Sequence, residues 1–185
     1  DDSMLDQEIA EIDDFLRRLD ENPRLSWAMG INVEPEWPVE LKRNHYTPLR
    51  DWAVAVKEAV NAGRIFPSTW SASLDVWIVD DLSLVFYGGE PFTEIALELA
   101  ARSPTAETLL MPLANGGEGY VATDSERRRG GYEPYTGCRY NRLSSGFRPM
   151  PYGLGAAEAL IEKALQGIRK LTTTDQLSEG EEDGE

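Results

Sequence analysis

The chain has 185 residues, 28% of them charged, and a formal net charge of −15. That length suits one domain with a sizeable core. The charge sits at the ends: residues 1–21 hold nine acids and two arginines, and residues 172–185 hold six acids and no base, which leaves −2 for the body. A nearly neutral body has no basic face for phosphate contacts, so nucleic acid is not an expected partner.

One cysteine, Cys138, excludes an intrachain disulfide. It sits in a Gly/Tyr/Arg-rich loop with no histidine nearby, which predicts an inert thiol rather than a nucleophile. The apolar runs are too short to span a bilayer, and the N-terminus is acidic, so neither a transmembrane segment nor a signal peptide is expected. The first residue is not Met, which fits a processed chain or a fragment. The compartment stays open between cytoplasmic and exported.

Leu5, Ile9, Ile12, Phe15, Leu16 and Leu19 recur at three- and four-residue spacings. They predict an amphipathic helix over 1–23, acidic on its far side and stopped by Asn22-Pro23. Residues 24–46, rich in Trp, Tyr and Pro without a period, read as an irregular connection packing aromatics on the core. His45 is the single histidine. It reads as a structural or solvent-facing imidazole, with a ligand or proton carrier as the alternative. Pro48 opens a predicted helix through Val60, with Gly63 beyond its end.

Trp70–Val79 and Leu82–Tyr87 predict an apolar hairpin turned at Asp80-Asp81, its second strand covered on both faces. Gly88 and Gly89 permit a sharp turn, and Pro91 suits the first turn of a helix running to Ser103-Pro104. Thr108–Leu113 is a further strand, so strand, helix and strand build a covered sheet. Thr123 or Asp124 caps a short helix through Arg129, where Arg127-Arg128-Arg129 is the one basic cluster; it reads as a solvated face, with an anionic or lipid contact as the alternative. Residues 134–155 form a long aperiodic loop of the kind that is often functional. Ala156–Leu171 predicts an amphipathic helix, and residues 172–185 a disordered acidic tail. Together these elements predict an α/β (α+β) fold, a mixed β-sheet packed by helices.

Two polar groups stand where predicted strands stop, Glu90 and Tyr120. Glu90, after two glycines and before a proline, either stabilises a helix N-terminus or acts as a rigidly held metal ligand or general base. Asn115-Gly116-Gly117-Glu118-Gly119 has the glycines of a phosphate-cradling loop, but no Lys-Ser/Thr pair follows and no helix starts directly after it. Tyr120 alone reads as a packing aromatic.

Three blocks taken together carry more. Gly89-Glu90-Pro91-Phe92-Thr93-Glu94, then Ala114-Asn115-Gly116-Gly117-Glu118-Gly119-Tyr120-Val121-Ala122-Thr123, then Gly131-Tyr132-Glu133 resemble the latter part of the catalytic domain of the neutral/alkaline non-lysosomal ceramidase family, in its bacterial ceramidase-like branch. The likeness covers residues 74–171 well and the first seventy weakly. In that family two histidines, a glutamate and a tyrosine hold a zinc ion that activates water against the amide of ceramide. By motif, the glutamate falls on Glu90 and the tyrosine on Tyr120. A metal with an open position lowers the pKa of water and polarises a carbonyl. The resemblance thus implies a zinc-dependent amidohydrolase acting on a lipid or small-molecule amide. The family's histidines lie upstream of these blocks, and His45 matches neither histidine motif. The lipid-gripping C-terminal domain of that family is expected to be missing, with the acidic tail in its place. The expectation is therefore a partial domain, with residues 24–171 the C-terminal part of a longer hydrolase whose N-terminal part is the missing partner. A non-catalytic α/β interaction module is the alternative.

Overall fold

Two amphipathic helices, α1 (Asp2–Glu21) and α2 (Val39–Asn61), begin the fold. The computed structural model describes residues 2–27, 33–67, 69–140 and 150–182. The chain divides into two compact units, Asp1–Trp70 with Arg129–Pro151 and Ser71–Arg128 with Tyr152–Glu185. α1 shares its core with α2.

In the first unit, Ile12, Phe15 and Leu19 of α1 bury against Tyr46 and Leu49 of α2. Each such side chain contributes about 1.5–3 kcal/mol when fully covered. Aromatic rings fill the middle: Phe15 lies 4.5 Å and Trp27 5.5 Å from Tyr46 between centroids. Charge pairs repeat along the seam between the two helices. Asp6 meets Lys57, Asp13 meets Arg50 and Asp20 meets Arg43. Seven residues separate each pair from the next on both helices, in opposite chain directions, so an antiparallel seam keeps the same facing positions along its length.

The helix expected to open at Pro48 starts nine residues earlier, with Pro48 in its interior. Proline removes one backbone donor there. Burial outweighs that loss, since Lys42 and Tyr46 are fully buried on the face that continues through Leu49, Ala53 and Val56. The Lys42 ammonium donates to the carbonyls of Pro23 (2.7 Å), Leu25 (3.0 Å) and Pro35 (2.9 Å), which ties the irregular segment to the helix.

Residues expected as one aperiodic loop are partly regular. A single π turn covers Tyr132–Thr136 and a 3-10 turn covers Gly137–Tyr140, while 141–149 lie outside the described residues. These turns carry Arg139, whose buried guanidinium pairs with Glu8 and stacks 4.4 Å from the Trp52 ring and 5.2 Å from that of Tyr135. A cation between ring faces gains from their quadrupoles.

The second unit holds β1 (Leu74–Val79), β2 (Leu82–Tyr87), β3 (Glu90–Pro91), α3 (Thr93–Arg102), β4 (Glu107–Met111), β5 (Tyr120–Val121), α4 (Asp124–Arg129) and α5 (Ala156–Glu182). The fold is α+β. β2 is the centre of a three-stranded mixed sheet, antiparallel to β1 and parallel to β4. Val85 and Tyr87 join Ile95 and Leu99 of α3 and Ile161, Leu165 and Ile168 of α5 in one core. α5 approaches the sheet closely enough that a Cβ on Gly167 would stand 2.8 Å from Val76 Cγ2. Among the described residues of this unit, α3 and α5 cover one face of the sheet. The expectation that β2 is covered on both faces is corrected by the exposure of Trp77, Val79, Leu109 and Met111 on the other.

α4 starts at Asp124 as expected, with Thr123 Oγ1 accepting from the Glu126 N–H at 3.4 Å. Helical backbone in α5 continues past Leu171 to Glu182, into the segment expected to be disordered. Thr172 and Thr173 donate back to carbonyls of Ile168 and Arg169, the usual way such side chains satisfy themselves inside a helix. Among the described residues no helix is long and apolar enough to cross a membrane.

Candidate functional site

The Gly88-Gly89 turn and the 113–119 loop are stitched together through their backbones. Ala114 N–H donates to Tyr87 O (2.9 Å), Leu113 N–H to Gly89 O (3.0 Å) and Glu118 N–H to Gly88 O (3.1 Å). Glu90 N–H donates to Gly119 O (2.9 Å) and Phe92 N–H to Val121 O (3.0 Å). The last two bonds flank a short parallel ladder in which Glu90 pairs with Tyr120 and Pro91 with Val121.

Glycine is required where these segments touch. A Cβ on Gly89 would stand 2.5 Å from Tyr87 Cε1 and 2.6 Å from Gly119 O. One on Gly88 would stand 3.0 Å from the Gly116 Cα. The 113–119 loop also holds two side-chain-bearing residues in the left-handed region, Leu113 at φ +57° and Asn115 at φ +61°. Left-handed backbone is uncommon for a residue such as Leu and concentrates at sites that the surrounding structure over-determines.

Glu90 was expected at a helix start. Instead it lies on β3, and α3 begins three residues later at Thr93. The bonds of Glu90 and Phe92 to the second loop hold this stretch extended. Glu90 therefore has a fixed strand position, not a place beside the helix dipole. As register partners, Glu90 and Tyr120 sit with Cα atoms about 5 Å apart and project from the same face of the ladder. Both side chains are half-buried. A carboxylate and a phenol on neighbouring positions are two oxygen donors that can face one cation.

Glu118, which the sequence offers only as one acid in a glycine run, has its side chain over both glycines: its Cγ lies 3.3 Å from the Cβ position of Gly88 and its Oε1 3.4 Å from that of Gly116. Among the described residues no group of three or more His, Cys, Asp and Glu side chains is placed to hold a metal. His45 belongs to the first unit, its ring 5.2 Å from that of Trp37 and its carbonyl accepting from Tyr140 Oη at 3.2 Å. Cys138 is partly buried and donates to the Tyr135 carbonyl at 3.3 Å. A cavity of about 500 Å³ in the first unit, lined by Glu11, Asp14, Arg18 and Trp27 among others, includes neither Glu90 nor Tyr120.

Compared with protein-family models, curated proteins and solved structures, the chain matches none.

Proposed function

We propose that the chain is the C-terminal portion of a ceramidase-like, zinc-dependent hydrolase of amide (N-acyl) bonds, to which it supplies Glu90 and Tyr120 as metal ligands. The observation that supports this reading is the pairing of Glu90 with Tyr120 in one parallel ladder. Two oxygens make half of the tetrahedral set that zinc takes, so the remaining ligands come from the N-terminal part of the enzyme. Bound there, zinc would polarise the scissile carbonyl and lower the pKa of water. The chain's own work is positional. The glycine contact and the backbone bonds of the 113–119 loop hold the Glu90 and Tyr120 backbones as neighbours, which supports a shared role for their side chains. The substrate is a lipid or small-molecule amide.

Zinc titration of the chain by calorimetry tests the assignment. Weak binding is expected, lost in Glu90→Gln and in Tyr120→Phe and kept in Glu94→Gln, whose side chain is exposed on α3. In the longer enzyme, Glu90→Ala should remove stoichiometric zinc. Unchanged zinc affinity in both site variants refutes the ligand roles. The second reading, a non-catalytic interaction module, is favoured by the open apolar face of the β1-β2-β4 sheet.

A further inference from the structure

The register of the second unit's sheet arranges its open face as a grid of three rows: Asp75–Phe86–Met111, Trp77–Leu84–Leu109 and Val79–Leu82–Glu107. Alternation sends Val76, Ile78, Val85 and Leu110 to the helical core instead. Seven of the nine grid positions are apolar, and the two acids stand at diagonally opposite corners. Trp77 is 61% exposed, Val79 53%, Leu109 50% and Met111 40%. The Trp77 and Phe86 rings pack on each other, 5.1 Å between centroids, and keep that corner smooth and solid. A contiguous apolar patch on a sheet of this kind marks an interaction surface.

Size and charge select the occupant. Three strands at about 4.8 Å and five residues at about 3.3 Å give a footprint of roughly 14 by 17 Å, near 240 Å². A stable dimer needs about 800 Å² from each partner, so this face by itself suits a weak, transient complex with one short segment and not a stable contact with a second copy of this chain. One α-helix, about 10 Å across and about 11 residues long, matches the footprint. Within the three strands and the β1-β2 turn every charge is negative. Asp75 and Glu107 occupy its corners, Asp80 and Asp81 turn its end, and neither 74–87 nor 107–111 contains Lys, Arg or His. An anionic membrane surface is repelled by such a rim.

We infer that the open β1-β2-β4 face is a docking site for a single amphipathic helix of another polypeptide, with an apolar stripe bordered by Lys or Arg. Apolar residues at i, i+3, i+4, i+7 and i+8 lie over Leu84, Trp77 and Leu109. A helix running along the strands has Asp75 on one border near one end and Glu107 on the other border near the opposite end. Its basic residues are therefore set about nine positions apart on opposite flanks, the span of four strand residues at helical rise. Its N-terminus suits the Asp80-Asp81 end, where the positive pole of the helix dipole meets two carboxylates. None of its residues belongs to the Glu90–Tyr120 ladder, although Asp75 accepts from Asn115 Nδ2 of the 113–119 loop at 3.5 Å.

The probes are two synthetic helical peptides with the same leucine stripe, one bordered by lysine and one by glutamate, titrated into the full chain and followed by amide chemical shifts. The lysine-bordered peptide is expected to shift residues 74–87 and 107–111, and to bind about tenfold or more tightly than its glutamate twin at low salt. The double variants Trp77→Ser/Leu109→Ser and Asp75→Asn/Glu107→Gln, all at exposed or partly exposed positions, should each weaken it by about tenfold. Equal affinity of the two peptides, or shifts confined to other surfaces, overturns the inference. So does a concentration-dependent dimer abolished by Leu109→Ser, which makes the face a self-contact. Retention on neutral lipid vesicles through Trp77 also overturns it, in favour of a lipid surface.

Discussion

Lys42→Met separates the role of the buried ammonium from that of its aliphatic stem. The methionine side chain is nearly isosteric with the lysine stem, so packing against the helix is kept and the cavity term is small. What goes is a charge that holds three carbonyls, at 2.7, 3.0 and 2.9 Å. A buried acceptor left without a donor costs about 1–3 kcal/mol. Pro23 is exposed and Leu25 and Pro35 are half-buried, so this segment lies near solvent and the low end applies to each. The sum is about 3 kcal/mol, a little over a hundredfold in the folding equilibrium. Relief of the ammonium's own desolvation works the other way and makes that sum an upper figure. Urea unfolding followed by tryptophan fluorescence reads it, because Trp27 stacks on Tyr46 within the segment that Lys42 secures. Lys42→Arg should lose nearly as much, since a planar fork cannot aim donors at three carbonyls converging on one point. A loss under about 1 kcal/mol in Lys42→Met would show that the carbonyls are satisfied without the lysine and refute the reasoning.

Three further outcomes follow from particular contacts. Gly89→Ala forces a Cβ to within 2.6 Å of the Gly119 carbonyl, and thermal melting should show a loss of about 2–4 kcal/mol together with altered amide shifts at Tyr120. Leu113→Gly releases a left-handed residue at φ +57° that is exposed and packs little; relief of about 1–2 kcal/mol against about 1 kcal/mol of added backbone entropy predicts a gain near 0.5 kcal/mol in denaturant unfolding. Burial pushes the hydroxyls of Tyr46 and Tyr140 up to about 12 from the ordinary 10.0. The fold thus favours their neutral forms, so their contribution is complete below pH 10 and declines as pH rises toward 12. Unfolding measured across that range should lose less stability in the Tyr140→Phe variant than in the parent, and two late-titrating tyrosines should be visible by ultraviolet absorbance.

Much of the secondary structure is legible in the chain because its signals are local. The 3.6-residue period of Leu5 to Leu19, the alternation on both sides of Asp80-Asp81 and the Ser103-Pro104 stop all act within a few residues of where they are read. The seven-residue spacing of Asp6, Asp13 and Asp20 against Lys57, Arg50 and Arg43 is also present in the sequence, but it has meaning only once α1 and α2 lie antiparallel. Pro48 reads as a helix start on local grounds. Its interior place in α2 depends on Lys42 finding three carbonyls seven to nineteen residues upstream, which no local pattern announces.

The candidate site divides in the same way. The glycines around Glu90 and Tyr120 mark a close approach of backbones, and the sequence by itself determines that only glycine-rich loops stand there. Which atoms they approach is a tertiary matter. The bonds from Glu90 to Gly119 and from Phe92 to Val121 turn an expected helix start into a strand and set the Glu90 backbone beside that of Tyr120, thirty residues away. The uncovered side of the sheet belongs there too. A run such as Leu82-Ser83-Leu84-Val85-Phe86 has apolar groups on both faces, and only the placement of α3 and α5 on one of them decides which side meets solvent, because a strand's pattern specifies what can be buried and its neighbours determine what is.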